Sequence, residues 1–218
     1  MKEFPYLIFS LIFMIKSLDT SKTLIIFFTR TNNTLLFANY IKEILNIDTY
    51  QIIPATPYTD DLDTMLELAR EERNNNVRPE IKDPLTDISK YDTIFLGYPL
   101  WHSYLPNIVI NQLEKLNFQG KTIYPFNTYG TVGSGYSTDD IKIAAKGSIV
   151  KEAFPISDYN IKIKNESMNK IKKWLKKNFQ LYNENEEDDY KNPELESLYD
   201  KLFKIKYSLL FILYIFLI

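Results

Sequence analysis

The chain contains no cysteine, a single histidine and few glycines. The absence of cysteine excludes disulfide bonds, thiolate metal sites and a cysteine nucleophile. The one histidine, His102, argues against a zinc site, because such sites draw on several His or Cys ligands. Glycine accounts for only 6 of the 218 residues. A cluster of glycines in this sequence therefore indicates a place where the backbone needs their conformational freedom.

The chain also lacks a strong charge of either sign. Its formal net charge is -2, and 45% of its residues are hydrophobic and 25% charged, as in a soluble globular domain. Residues 21–180 contain 20 Lys and Arg against 18 Asp and Glu, and the basic residues are scattered. We therefore predict no nucleic-acid partner, because surfaces that bind nucleic acids concentrate positive charge.

Composition divides the chain into three segments. Residues 1–20 hold an apolar run of signal-peptide length, which predicts a signal peptide or an uncleaved anchor, with a buried or frayed extension as the alternative. Residues 21–180 are predicted to be the globular domain. Residues 181–218 read as an acidic linker and an apolar tail whose last 12 residues are too short to cross a bilayer. The termini thus predict a secretory or membrane-associated protein, and a cytoplasmic one if the N-terminal run has no targeting role.

The middle segment alternates between strand and helix patterns. Three continuous apolar runs, at 23–28, 93–97 and 122–126, are typical of strands buried on both faces. Shorter strands are predicted at 49–53 and from residue 148. The helices predicted from apolar residues at helical spacing are 35–45, 60–75, 108–116, 138–145 and 167–179. This alternation predicts βαβ units, and so an α/β fold with a doubly wound parallel sheet.

Ligands of such sheets bind beyond the carboxyl ends of the strands. Residues 29–34, the first loop, follow the first apolar strand and carry three hydroxyls, two amides and a guanidinium but no carboxylate. Hydroxyl donors beside a helix N-terminus favour a phosphate group. An ordinary helix cap is the alternative, although a cap needs only one such residue. The GxxxxGK[ST] and GxGxxG motifs are absent, which argues against a P-loop or a dinucleotide-binding turn.

The loops after the next two apolar strands are equally unusual. Residues 97–106, the second loop, hold Trp101 and Tyr104, which are costly to expose unless they cover a flat ligand. The alternative is that both rings fold back onto the core, and His102 beside them is interpreted as a surface residue, not a catalyst. Residues 127–137, the third loop, contain 3 of the 6 glycines. Glycine there allows close approach to a planar ligand, or alternatively only makes the loop flexible.

These segments together resemble the successive motifs of the flavodoxin-like family. The matching stretches, within residues 22 to about 180, are TLIIFFTRTNNT, YDTIFLGYPLWHSYLP and GKTIYPFNTYGTVGSG. The resemblance implies a three-layer fold with a five-stranded parallel sheet in the order 2-1-3-4-5, and it implies non-covalently bound FMN. It matches Thr29, Thr31, Asn33 and Thr34 to the residues that bind the FMN phosphate. It matches 99–101 to the loop along the isoalloxazine ring and 128–135 to the loop that faces the pyrimidine side of that ring. The candidate cofactor-binding residues are Thr29, Arg30, Thr31, Asn32, Asn33, Thr34, Pro99, Leu100, Trp101, His102, Thr128, Tyr129, Gly130, Gly133 and Gly135.

The sequence departs from the family pattern at Asn32, where the family usually has glycine. We expect the loop to persist, because asparagine tolerates left-handed backbone better than other residues with a side chain. A second departure concerns net charge. Flavodoxins that carry electrons are usually acidic, whereas residues 21–180 are near neutral, which favours a small flavin reductase. The predicted function is electron or hydride transfer through FMN, to a redox protein or a small quinone-like acceptor and with NAD(P)H as a possible donor. No catalytic acid or base is assigned. The alternative function is a cofactor-free, membrane-associated interaction module.

Overall fold

The computed structural model describes residues 18–131, 133 and 135–179. The predicted acidic linker and apolar tail lie outside these residues, and so does the predicted N-terminal signal or anchor except for residues 18–20. Among the described residues, no helix combines the length and the apolar character that a membrane span requires.

The described residues form seven strands and five α-helices, with short 3-10 helices at Thr20–Lys22 and Asn160–Lys162. The strands are β1 (Thr23–Phe28), β2 (Asp48–Pro54), β3 (Ile81–Lys82), β4 (Thr93–Pro99), β5 (Thr122–Tyr129), β6 (Ile149–Val150) and β7 (Phe154–Ser157). The helices are α1 (Asn33–Leu45), α2 (Leu62–Asn74), α3 (Asn107–Glu114), α4 (Ser137–Ala144) and α5 (Lys164–Asn178).

The sheet has the predicted flavodoxin-like order. Strands β2, β1, β4 and β5 lie side by side and pair in parallel. The fifth position is shared by β6 and β7, which pair in parallel with the beginning and the end of β5. When only the parallel strands are counted and β6 and β7 are taken as one, the order is 2-1-3-4-5, so the predicted order is confirmed. The structure adds one strand to it. Strand β3 has only two residues and extends the sheet beyond β2 in the antiparallel sense.

Helices cover both faces of the sheet, so that the central strands are buried. All six residues of β1 are buried, which explains why its sequence is apolar without alternation. One core lies beneath α1 and α5, around residues such as Phe37 and Ile171. The other lies beneath α2, α3 and α4, around residues such as Met65 and Ile141. These three layers are the architecture that the sequence predicts.

Gly97 in β4 shows why this strand contains a glycine. In the parallel register, Gly97 lies between Phe27 of β1 and Phe126 of β5. A Cβ atom at Gly97 would overlap the Phe126 ring and would lie 2.9 Å from the Cβ of Phe27. The glycine makes room for the aromatic ring of the neighbouring strand.

The chain between β2 and β3 forms a long insertion whose two ends are hydrogen-bonded to each other. The Ala55 amide donates to the Glu80 carbonyl oxygen at 2.9 Å, and the neighbouring pairs Ile53–Lys82 and Pro54–Ile81 continue this closure. The two ends of the 55–80 segment are therefore held together at the carboxyl end of β2. It contains α2, whose N-terminus is capped by Asp61 through a 2.8 Å bond from the Thr64 amide.

Candidate functional site

The three predicted loops converge at one edge of the sheet. They follow β1, β4 and β5, which are parallel neighbours and so end at the same edge. The hydroxyl groups of Thr34 and Thr128 lie 2.9 Å apart and join the first loop region to the end of β5. The Leu100 amide donates to the Thr128 carbonyl oxygen at 2.9 Å, joining the second loop to β5. This edge is where a doubly wound sheet binds its ligands.

The first loop leaves the N-terminus of α1 open. Asn32 adopts left-handed backbone (φ 64°, ψ 2°), as expected for an asparagine that replaces glycine. Its side chain makes no capping hydrogen bond to the helix, and the first turn carries no acidic residue. Asn33, the first residue of α1, is buried. The amides of the first turn are therefore free of a side-chain cap and can bind an anion.

Thr29 supplies a second sign of a missing partner in the first loop. Its hydroxyl oxygen is buried and has no hydrogen-bond partner. A buried hydroxyl without a partner is costly, and a ligand that bonds to it removes that cost. Together with the uncapped helix N-terminus, Thr29 fits a phosphate group. Thr31 is exposed beside it.

Arg30, another candidate of the first loop, reaches away from α1. Its Nη1 atom donates to the carbonyl oxygens of Thr59 and Asp60 at 3.0 and 3.1 Å. The guanidinium therefore ties the first loop to the 55–80 segment. Its contacts are structural, and a role in phosphate binding stays a prediction.

The second loop contains a tight turn from Trp101 to Tyr104. The two residues exchange backbone hydrogen bonds of 3.2 and 2.9 Å. Between them, His102 and Ser103 both have positive φ angles, 51° and 70°, as the central residues of a type I′ turn do. This turn usually contains Asn or Gly, so His-Ser is an uncommon and costly choice. His102 is exposed, as interpreted from the sequence, and its Nε2 atom lies 2.8 Å from the Leu66 carbonyl oxygen.

The Trp101 indole is covered by other side chains of the protein. Its residue is 6% exposed, and its ring meets those of Phe28 and Tyr58 edge to face at 5.5 and 4.9 Å. The argument that a loop tryptophan needs a flat ligand to cover it is therefore wrong here, and the alternative of folding back onto the core describes Trp101. Pro99 and Leu100 before it are half-buried. Contact between this loop and a flavin ring stays a prediction.

The third loop packs directly on the second. Gly135 has a φ of 52°, and a Cβ atom there would overlap the backbone of Ser103. The Tyr136 amide donates to the Ser103 carbonyl oxygen at 2.7 Å, and the rings of Tyr136 and Tyr104 stack at 5.4 Å. Gly135 is thus explained by loop-to-loop contact, where the sequence argument expected contact with a ligand. Gly130 has open space around its Cα, and Gly133 and Tyr129 lie against each other.

A buried polar cluster lies below the third loop. The Tyr98 hydroxyl donates to the Ser137 Oγ atom at 3.0 Å, and burial raises the pKa of Tyr98 to about 12. Asn127 pairs with Tyr98 across β4 and β5 and is fully buried. The nearby Asn127 amide opposes this increase in the Tyr98 pKa. Neither its Nδ2 nor its Oδ1 atom, however, has a partner in hydrogen-bond geometry. Asn127 is not among the candidate residues, although it is the first residue of the predicted third loop and directly follows a buried strand.

The 55–80 segment adds an ionisable pair behind Trp101. The Tyr58 hydroxyl donates to the Glu72 carboxylate at 3.2 Å. Burial raises the pKa of Glu72, and the bond from Tyr58 only partly opposes this. Burial and the nearby Glu72 charge raise the pKa of Tyr58 as well. Neither residue was a candidate, because each stands in a helix or loop with nothing unusual in its neighbours.

A cavity of about 250 Å³ lies between α2 and the second loop. The side chains of Arg70, Arg73, Trp101, His102 and Tyr104 are in its lining. The lining includes no residue of the first or third loop, so this cavity is separate from the candidate phosphate site.

Comparison with known protein families shows which family contains a chain with these three loops. The family model described as flavodoxin matches residues 22–178, which is most of the chain and all three loops. The chain belongs to the flavodoxin family. None of the curated proteins compared with this flavodoxin matches it.

Solved structures agree with this family. A candidate flavoprotein from Bacteroides eggerthii is 29% identical, with a TM-score of 0.59 over 72% of this chain and 98% of its own. One from Bacteroides uniformis is 24% identical, with a TM-score of 0.57 over 69% of this chain and 99% of its own. A Lactobacillus acidophilus flavoprotein, solved in complex with FMN, is 20% identical, with a TM-score of 0.53 over 66% of this chain and 97% of its own. The fold of this flavodoxin is therefore shared with flavoproteins along nearly their whole length.

Proposed function

We propose that this protein binds FMN non-covalently and passes electrons or hydride through it. The first loop is the observation that carries the proposal. It combines an uncapped N-terminus of α1 with the buried, unpartnered Thr29 hydroxyl and no carboxylate. An anionic phosphate satisfies both the amides and the hydroxyl.

The family supplies the support for choosing FMN among phosphate-bearing ligands. The chain is a flavodoxin, and the Lactobacillus acidophilus flavoprotein of the same fold was solved with FMN. Absence of a GxGxxG turn in the first loop disfavours a dinucleotide. The orphaned amide of Asn127 offers a further polar partner below the third loop.

The proposal divides the work between the flavin and the chain. Bound FMN supplies the redox chemistry, and the protein supplies binding, orientation and electrostatics. In this proposal the N-terminus of α1 and Thr29 hold the phosphate, while Pro99, Leu100, Thr128, Tyr129 and Gly130 flank the ring. The acceptor is a redox protein or a small quinone-like molecule, and the near-neutral domain favours the small molecule. No observation supports NAD(P)H as the donor.

Titration of flavin-free protein with FMN, followed by flavin fluorescence and the visible spectrum, tests the proposal. Thr31→Ala combined with Asn33→Ala removes two proposed phosphate partners, each worth about 1.5–3 kcal/mol when bonded to a charged group. We expect the Kd for FMN to rise at least about tenfold. Thr86→Ala with Asn117→Ala, two exposed polar residues outside the loops, is the control of the same residue types and should leave the Kd unchanged.

Two results would count against this function. An unchanged Kd in the Thr31/Asn33 variant removes these residues from the site. A wild-type protein that stays colourless and ignores added FMN supports the cofactor-free interaction module instead.

A further inference from the structure

The 55–80 segment contacts the surroundings of all three loops. Arg30 of the first loop donates to Thr59 and Asp60. Tyr58 packs on Trp101 of the second loop. Arg73, near the end of α2, reaches Asp140 in α4, directly after the third loop. The 55–80 segment, whose two ends are held together by hydrogen bonds, thus lies along one side of the candidate site.

Arg73 makes the most concentrated set of these contacts. Its Nη1 and Nη2 atoms each donate to a different oxygen of the Asp140 carboxylate at 3.1 Å. Its guanidinium carbon lies 3.5 Å from the centroid of the Tyr104 ring. Two planar contacts of this kind require the guanidinium shape, which lysine lacks.

Asp140 carries the connection on to the second loop. Its Oδ2 atom accepts the Leu105 amide at 3.1 Å while it also accepts from Arg73. The Asp140 side chain is only 12% exposed and that of Arg73 is 34% exposed, so water screens this pair less than a fully exposed one. Tyr104, beneath the guanidinium, stacks on Tyr136 of the third loop. One ion pair therefore touches the 55–80 segment, the second loop and the start of α4.

We infer that Arg73 and Asp140 form a clamp that fixes the second loop against the third, and that the clamp positions both loops for the flavin. The first part stands on the geometry alone, and the second part rests on the proposed function. Arg73 is a positioning residue, because it acts through Leu105, Tyr104 and Tyr136.

The chain provides a matched control in Arg78. This arginine belongs to the same 55–80 segment and also binds a carboxylate through two nitrogens, that of Glu114 at 2.8 and 2.8 Å. Its side chain is 26% exposed, similar to Arg73, but Glu114 lies at the far end of α3 from the second loop. Arg78→Gln therefore removes a two-nitrogen ion pair from the same segment without touching the loops, although its carboxylate is more exposed than that of Asp140 (42% against 12%).

The clamp is tested first in flavin-free protein, by hydrogen exchange of the Leu105 amide and the NMR signals of the Tyr104 and Tyr136 rings. Arg73→Gln should accelerate exchange at Leu105 at least about tenfold over the wild type and shift both ring signals, because opening of the loop becomes easier. Arg73→Lys should restore part of the protection. Arg78→Gln should change neither measurement. Equal effects of Arg73→Gln and Arg78→Gln would overturn the clamp.

Positioning for the flavin is tested by FMN titration of the same variants. We expect Arg73→Gln to raise the Kd about tenfold and Arg78→Gln to leave it within about twofold of the wild type. Faster exchange at Leu105 with an unchanged Kd would overturn the positioning role. Failure of the wild type to bind FMN would refute the proposed function and the positioning role together, while the exchange experiment still decides the clamp.

Discussion

Asn32 shows how a residue that departs from the family pattern keeps the local backbone. The family's glycine at this position permits a positive φ, and Asn32 adopts φ 64°. Asparagine is the residue with a side chain that visits this region most readily, because its short amide can bond to the nearby backbone. The same solution recurs at the other end of α1, where Asn46 has φ 49°. Both ends of this helix thus depend on asparagine in left-handed backbone.

Glu72 makes stability depend on pH. Burial raises the pKa of this carboxyl above its ordinary value of 4.5. A raised folded-state pKa favours folding at low pH, and that contribution is lost as the pH rises through the folded-state value. Glu72→Gln keeps an acceptor for the Tyr58 hydroxyl but carries no charge. Below pH 4.5 we expect the variant and the wild type to have the same melting temperature. Above pH 4.5 the variant should melt at a higher temperature than the wild type, by a difference that grows as the pH increases.

Thermal melts of both proteins between about pH 4 and 8 measure this difference. Glu67→Gln, on the exposed face of the same helix, is the control and should show no gain that grows with pH. A wild type more stable than Glu72→Gln at neutral pH would mean that the ionised carboxylate is stabilised in the fold.

At the scale of elements, the third loop depends on a glycine that touches the second loop. Gly135→Ala requires a side chain at φ 52° and an overlap with the Ser103 backbone. The left-handed conformation alone costs about 1–2 kcal/mol, and the overlap adds to it. We expect a lower melting temperature and weaker FMN binding. Gly130→Ala meets nothing within 4 Å and is the control for the melting temperature. Equal melting temperatures for the two variants would contradict the contact between the loops.

Elements with many residues in a regular pattern could be predicted from the sequence. Strands β1, β4 and β5 are largely apolar because both of their faces are buried, and helices such as α2 show their apolar face at helical spacing. Strand β3 could not be predicted, since its two residues are too few to show a period. It forms because the 55–80 segment returns to β2, and this return is set by tertiary contacts.

The candidate site shows the same limit. The placing of the three loops followed from parallel strands ending at one edge, and the structure brings these loops together. Trp101 could not be assigned to core or ligand, because either environment covers an aromatic ring equally well. The Arg73–Asp140 pair joins residues 67 positions apart, and neither residue belongs to a recognisable motif. Contacts of this range depend on the finished packing of α2 and α4 beside α3.

At the scale of the whole molecule, residues 18–179 contain every described strand and helix. We expect this segment, produced alone, to fold with an unchanged melting temperature and unchanged FMN affinity. The apolar terminal runs are proposed to act in targeting or membrane contact, so their deletion should also move the protein to the soluble fraction after cell lysis. Melting curves, FMN titration and fractionation check the three expectations.

The competing idea is that the terminal runs pack on the domain. Each buried large side chain would then contribute about 1.5–3 kcal/mol, so deletion would lower the melting temperature markedly. A segment 18–179 that aggregates or loses FMN affinity would support that idea and make the ends part of the fold.

The interrupted fifth strand has a consequence for self-association. Strand β6 has two residues and β7 four, with the exposed Lys151 and Glu152 in the break between them. At the opposite edge of the sheet, β3 also has only two residues. Such short edges give another copy of the chain few consecutive N–H and C=O groups on which to add a strand. At the β6–β7 edge of the described sheet, strand addition from the folded state therefore lacks a long template, and it would first require this edge to rearrange.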